Sequence, residues 1–174
     1  ALSLWAPGGN GMYYHADLDL RCRGVDFLCP RGWCYAPRCS FYGDGHAMIW
    51  HDGRGDPDKK LVITNSSFDA ARPTSLGRYH HDAQFYIANS TMSANVFNAN
   101  IQYAYSEVQD PCPWGQRVYY IACAREGGHS GWLRNNADQA PGNPQYYTLT
   151  ALWTFGNKWD PEQRIRDLWY VLAY

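Results

Sequence analysis

The stretch Asn95-Val96-Phe97-Asn98-Ala99-Asn100-Ile101-Gln102-Tyr103-Ala104-Tyr105 alternates apolar and polar side chains from Phe97 onward. Phe97, Ala99, Ile101, Tyr103 and Tyr105 fall on one face, and Asn98, Asn100 and Gln102 on the other. A period of two marks a half-buried strand. Working outward, residues 79–87, 117–124 and 146–155 are rich enough in β-branched and aromatic side chains to be strands as well. Shorter strands are predicted at 47–51 and 61–64, with a first strand at 12–22 running into a turn. Residues 66–72 read as a two-turn helix stopped by Pro73. No internal repeat stands out. The end reads as a helix over 160–172. Asp160 can cap it, Pro161 suits its first position, and Gln163 completes a capping box. Ile165, Leu168, Trp169 and Leu172 then form one apolar stripe, expected to pack on the sheet. The expected class is α+β, a single domain over 1–174 dominated by antiparallel sheet.

Composition narrows the chemistry. Hydrophobic residues make up 45% of the chain, yet the mean hydropathy is −0.53. The gap comes from 14 Tyr and 8 Trp, which carry polar tips on apolar rings. A net charge of −1 argues against a nucleic-acid binder that works by charge alone. Only three Glu are present (Glu107, Glu126 and Glu162), so carboxylate-pair chemistry has little Glu to draw on. The longest uncharged run, 83–106, is studded with Asn and Gln and does not read as a membrane span.

Six cysteines suggest disulfides and an oxidising compartment. Cys22, Cys29, Cys34 and Cys39 cluster in a cysteine-rich insert at 23–45, where disulfides replace secondary structure as the ordering force. Cys112 is expected to pair with Cys123 across a strand-turn-strand. The spacings lack the C-x-x-C pairs of zinc modules, so no metal is expected. Asn65-Ser66-Ser67 and Asn89-Ser90-Thr91 are glycosylation sequons. The chain opens without a signal peptide and reads as a mature secreted product.

Other motifs carry less. His80 and Asp82 share a strand face, although surface and core histidines are commoner than catalytic ones. Gly128-His129-Ser130-Gly131 fails the nucleophile-elbow pattern, because Trp132 stands where a Gly is needed. Arg54-Gly55-Asp56 reads as a solvated turn. Asp17 and Asp19 share a strand face without any sign that they line a cleft. The aromatic load hints at binding, since Tyr and Trp are enriched at recognition sites.

Read in order, these pieces resemble the enterotoxin and pertussis-toxin-like ADP-ribosyltransferase catalytic domain. Tyr14-His15-Ala16-Asp17 stands where that family has Tyr-Arg-x-Asp. Val62-Ile63-Thr64-Asn65 stands for its Ser-Thr-Ser strand. Residues 85–87 and 95–105 stand for its Tyr- and Asn-rich strand pair, and Arg134-Asn135-Asn136 for its E-x-E turn. The resemblance implies a split antiparallel β-sandwich with the cysteine-rich insert and C-terminal helix added. It implies NAD as cofactor if the site is active. The catalytic positions are degenerate. His15 replaces the phosphate-anchoring Arg, and only Thr64 remains of Ser-Thr-Ser. Arg134 and Asn136 replace the two Glu, and Asn cannot supply the negative charge that stabilises an oxocarbenium ion. Glu126 is the one acid that could stand in.

The expectation is therefore a secreted, disulfide-bonded, toxin-like effector or virulence protein that is a pseudoenzyme. It acts by binding a host or extracellular protein or glycan, with no cofactor. The alternatives are an active ADP-ribosyltransferase or NAD glycohydrolase, and a lectin-like glycan-binding protein.

Overall fold

The computed structural model describes residues 2–4, 9–21, 23–25, 27–80, 82–103 and 113–172. Three short strands run in sequence, and the chain then returns to lie parallel beside the first of them. The first coil is β1 (Leu2–Ser3), β2 (Met12–Tyr14) and β3 (Asp19–Arg21). The second is β4 (Phe27–Pro30), β5 (Trp33–Pro37) and β6 (Ser40–Gly43). The third is β7 (Ala47–Asp52), β8 (Leu61–Thr64) and β9 (Ser67–Ala70). The fourth is β10 (Ser75–His80), β11 (Gln84–Ala88) and β12 (Thr91–Met92). The fifth is β13 (Gln102–Tyr103), β14 (Arg117–Ile121) and β15 (Ala124–Arg125). The sheets run β1-β4-β7-β10-β13, β2-β5-β8-β11-β14 and β3-β6-β9-β12-β15. Among the described residues every strand pair is parallel. The molecule is a parallel β-helix of five coils.

The α+β antiparallel sandwich is therefore overturned, and with it the fold implied by the transferase resemblance. Alternation marks any sheet with an inward and an outward face, and here the inward face lines a solenoid lumen. The founding stretch itself yields only β13 and an isolated parallel bridge from Val96 to Thr74, with a turn at 94–95 and a bend at 98–99. Residues 104 and 105 lie outside the described residues. The predicted strand at 79–87 is two strands with a corner between them. The predicted helix at 66–72 is β9, and the predicted strand at 146–155 is short helical turns. The cysteine-rich insert is not an insert: it is the second coil, with three strands and a full share of the core.

Inward residues stack coil upon coil. Ala36, Ile63, Ile87 and Tyr120 are successive register partners in the second sheet. In the third sheet Phe41 and Phe68 stack at 4.8 Å, and Phe27 meets Phe41 edge-on. Cys29 and Cys34, both fully buried, form a disulfide across the corner from β4 to β5. Cys123 is a free thiol in the structure, so it is not bonded to Cys112. Cys22 and Cys112 lie outside the described residues. Trp132 and Leu133 close the C-terminal end of the lumen, Trp132 edge-on to Tyr120 at 5.3 Å.

Outward residues of the second sheet build another core. Trp33, Tyr35, Val62, Tyr86 and Tyr119 are covered by Ala137, Ala140, Leu149, Ala151 and Phe155 of the following segment. That segment contains α1 (Ala151–Thr154), whose Trp153 meets Tyr86 edge-on at 5.0 Å. The Lys60 ammonium lies 4.7 Å from the Trp153 ring centre, and Lys158 lies 5.8 Å from that of Trp33. These cations pin the segment to the sheet from both sides.

The corner between the second and third sheets is the most regular part of the molecule. Asp17, Arg38, Asn65, Asn89 and Ala122 all have left-handed backbone, φ 59, 56, 52, 45 and 53°. In four of the five, the amide N–H donates to the next coil: Asp17 to Pro37, Arg38 to Thr64, Asn65 to Ala88, Asn89 to Ile121. The residue that follows turns inward and closes the corner. The hydroxyls of Ser66 and Ser90 donate to Thr64 and Ala88 carbonyls, both at 2.8 Å. The Cys39 and Cys123 thiols make the equivalent bonds to Pro37 and Ile121.

Candidate binding cleft

Helix α2 (Pro161–Leu172) follows the covering segment. Asp160 caps it as predicted, its Oδ1 accepting from the Gln163 amide at 3.0 Å, but the Gln163 side chain completes no capping box and instead donates to Asp167 and accepts from Arg166. Its first turn docks through Glu162, whose carboxylate accepts from the Ala151 amide at 3.3 Å. Beyond that turn the helix stands away from the body. Ile165 is 43% exposed, Leu168 58%, Trp169 71% and Tyr170 72%. Ile165, Leu168 and Trp169 of the predicted stripe therefore do not pack on the sheet, because the outward face of the second sheet is already filled by the segment before it, and the side chain of Leu172 lies outside the described residues.

Between α2 and the first two coils lies a cleft of about 410 Å³. One wall carries Tyr14, Asp17 and Arg38, the other Glu162, Arg166 and Trp169. Arg38 holds Asp17 with both prongs of its fork, Nε to Oδ1 at 2.8 Å and Nη2 to Oδ2 at 2.9 Å. These bonds keep the Asp17 carboxyl below its usual range and the Arg38 guanidinium above its own. Burial pushes the Tyr14 phenol up, so it stays protonated and able to donate. Arg166 reaches Gln163 at 2.7 Å and Asp160 at 3.5 Å. Two cationic and two carboxylate side chains thus face the cleft, and the formal charges cancel.

Asp17 and Arg38 also begin an exposed row along the left-handed corner, continued by Asn65 and Asn89, whose amides join at 2.6 Å (Asn89 Nδ2 to Asn65 Oδ1). Two residues on, a second exposed row follows on the outer face of the third sheet. Asp19, Ser40, Ser67 and Thr91 are its register partners, and Ala124 ends it. Rungs in both rows are about 4.8 Å apart, the spacing of paired strands.

The residues expected to form a transferase site are scattered. His15 ends the second-sheet part of the first coil, where its ring meets Phe27 edge-on at 6.1 Å and burial lowers its pKa. Thr64 ends β8, two strands away in sheet order, and bonds the Tyr35 hydroxyl at 3.2 Å. Asn136 belongs to the opposite end, beyond β14. Its side chain accepts from the Tyr120 amide at 2.7 Å and donates to the Val118 carbonyl at 2.9 Å, so it caps an open strand edge. Arg134 is exposed beside it. Glu126 is exposed too and accepts from the Ala94 amide at 3.2 Å. Four strand spacings separate β2 from β14 and Asn136 lies beyond β14, so His15 and Asn136 stand more than about 19 Å apart along the sheet.

Other motifs settle into structural places. Asp82 is buried and accepts from the Trp114 and Gly115 amides, both at 2.8 Å. The ring of His80 and the whole of residue 81 lie outside the described residues. Asp17 and Asp19 are separated by the corner, and Asp19 pairs with Arg21. Arg54-Gly55-Asp56 is a turn between β7 and β8. Among the described residues no cluster of His, Cys, Asp and Glu could hold a metal. No described helix is long and apolar enough to cross a membrane. The sequence reading missed Arg38 and Trp169. A left-handed corner at Arg38 has no signature in one sequence, and an apolar stripe does not reveal whether it has a partner. Comparison of the chain with known protein families, curated proteins and solved structures finds no match, and nothing ties it to the ADP-ribosyltransferases.

Proposed function

We propose that the protein is an extracellular saccharide-binding module, with its site in the cleft between α2 and the first two coils. The observation that carries this is Trp169, a large aromatic held in the open on a capped helix, facing a wall of fixed donors and acceptors. Sugar rings have apolar C–H faces and hydroxyl rims. An exposed indole suits the first, and an Arg–carboxylate fork with a neighbouring phenol suits the second. The balanced charges favour a neutral sugar over an anionic one. The buried Cys29–Cys34 disulfide is compatible with an oxidising compartment.

Screening on a glycan array tests this reading. Trp169→Ala is expected to lower affinity for any bound sugar at least tenfold and to leave thermal stability unchanged, because the ring is exposed. Failure of every neutral glycan to bind at high micromolar concentration refutes it.

A second reading has its own observation. Leu168 and Tyr170 are exposed without lining the cleft, and exposed apolar clusters mark protein-binding surfaces. Under that reading a protein partner is lost with Leu168→Ser and Tyr170→Ser, while sugar binding survives.

A further inference from the structure

We propose that the cleft's ligand is an extended, neutral, linear polysaccharide lying along the solenoid axis, read by the corner row and the hydroxyl row together. This rests on the saccharide reading above and adds to it the form of the ligand. The first support is continuity: Asp17 and Arg38 line the cleft and are also the first two rungs of the corner row. A chain whose terminal unit sits in the cleft is aimed along that row. The second is spacing. Rungs recur about every 4.8 Å, close to the advance of one unit in an extended β-linked hexose polymer, so successive sugars meet equivalent partners.

The third support is unused hydrogen-bonding capacity. Asn89 Nδ2 is engaged by Asn65, while Asn65 Nδ2 and Asn89 Oδ1 have no partner among the described residues. In the neighbouring row, Ser67 donates to Ser40 at a long 3.4 Å, and the Thr91 hydroxyl is likewise unbonded. All these groups are exposed and uncharged. They sit on backbone fixed by inter-coil bonds, so little freedom is lost on binding. The fourth support is the end of the track. In the fifth coil both rows reach alanine, Ala122 and Ala124, which offer no side-chain polar atom. The track therefore has one polar rung in each of the first four coils.

Titration calorimetry with glucose through cellohexaose, and with the matching β-1,4 N-acetylglucosamine series, tests the proposal. In at least one series, affinity should rise roughly three- to tenfold per unit, the worth of one net hydrogen bond, and level off at the tetramer. Replacing Ser40→Ala, Ser67→Ala and Thr91→Ala together should flatten that rise and leave monosaccharide binding intact. Thermal unfolding of the triple variant checks that the fold is kept. Equal affinity from monomer to hexamer overturns the polymer inference and leaves the cleft reading standing, whereas a length dependence that survives undiminished in the triple variant overturns the reading by the two rows together. Absence of binding by every member of both series overturns both.

Discussion

His51 lies wholly inside the lumen, an unusual place for an imidazole. Its Nδ1 accepts from the Gln84 amide at 3.0 Å, which leaves Nε2 to donate to the Gly32 carbonyl at 3.3 Å. Both ring nitrogens are used by the neutral form, and burial lowers the pKa to about 4. The unfolded chain binds this proton from about pH 6.5 downward, whereas the folded one resists until about pH 4. The contribution is complete above pH 6.5 and is lost as pH falls between those values, to a total of about 3 kcal/mol. Urea midpoints should fall between pH 7 and 4.5, and His51→Gln, which keeps a neutral donor and acceptor, should fall less. Equal slopes for the two proteins would assign the loss to carboxylates instead. Ala122 is the opposite case, an ordinary residue in left-handed backbone, which costs about 1 kcal/mol where Asn costs less. Ala122→Asn should raise stability by about that amount in urea unfolding and extend the amide row beyond Asn89.

At the scale of elements, strands ended by open edges need covering. Asn136 covers β14 by imitating a strand. Its side chain supplies one acceptor and one donor, and its own amide donates to Tyr120 at 3.1 Å. Asn136→Ala removes two of these bonds and should cost about 2 kcal/mol, with hydrogen exchange at the Tyr120 amide accelerating first. Elements were unevenly legible in the sequence. β7, β8, β11 and β14 announce themselves by β-branched and aromatic runs, and α2 by its capping residues. The helical turns at 146–155 do not, because packing of Ala151 and Phe155 on the second sheet outweighs the strand preference of Tyr, Thr and Trp. The two sequons, Asn65-Ser66-Ser67 and Asn89-Ser90-Thr91, are the same corner met on consecutive coils. Their recurrence is the plainest sign of the repeat in the sequence.

For the whole molecule, the repeat escapes notice because its length is not constant. Tyr14, Tyr35, Val62, Tyr86 and Tyr119 are successive partners, so the turns take 21, 27, 24 and 33 residues. Period-based reading needs a fixed interval, and this chain offers only a recurring corner. Solenoid stability is built from contacts between neighbouring coils, so end coils have one neighbour and inner coils two. In the first coil Tyr13, His15, Leu18 and Leu20 remain half-buried where their counterparts deeper in the lumen are fully buried. Native-state hydrogen exchange should therefore be slowest in β5, β8 and β11, which also have their outer face covered, and faster in β2 and β3. Uniform protection along all five coils would contradict this picture.

The corners differ in what they permit. Between the second and third sheets, each of the last four coils spends two residues, from Arg38-Cys39 to Ala122-Cys123. Between the first and second sheets the chain spends anything from Arg31-Gly32 to the long span between β13 and β14. One margin of the molecule is ruled and another is ragged. Insertions written into the ragged margin leave the pitch untouched, so new loops, and new specificities with them, can be acquired there without redrawing the scaffold. A single residue gained in the ruled margin would turn outward the inward side chains of the third-sheet strand that follows it.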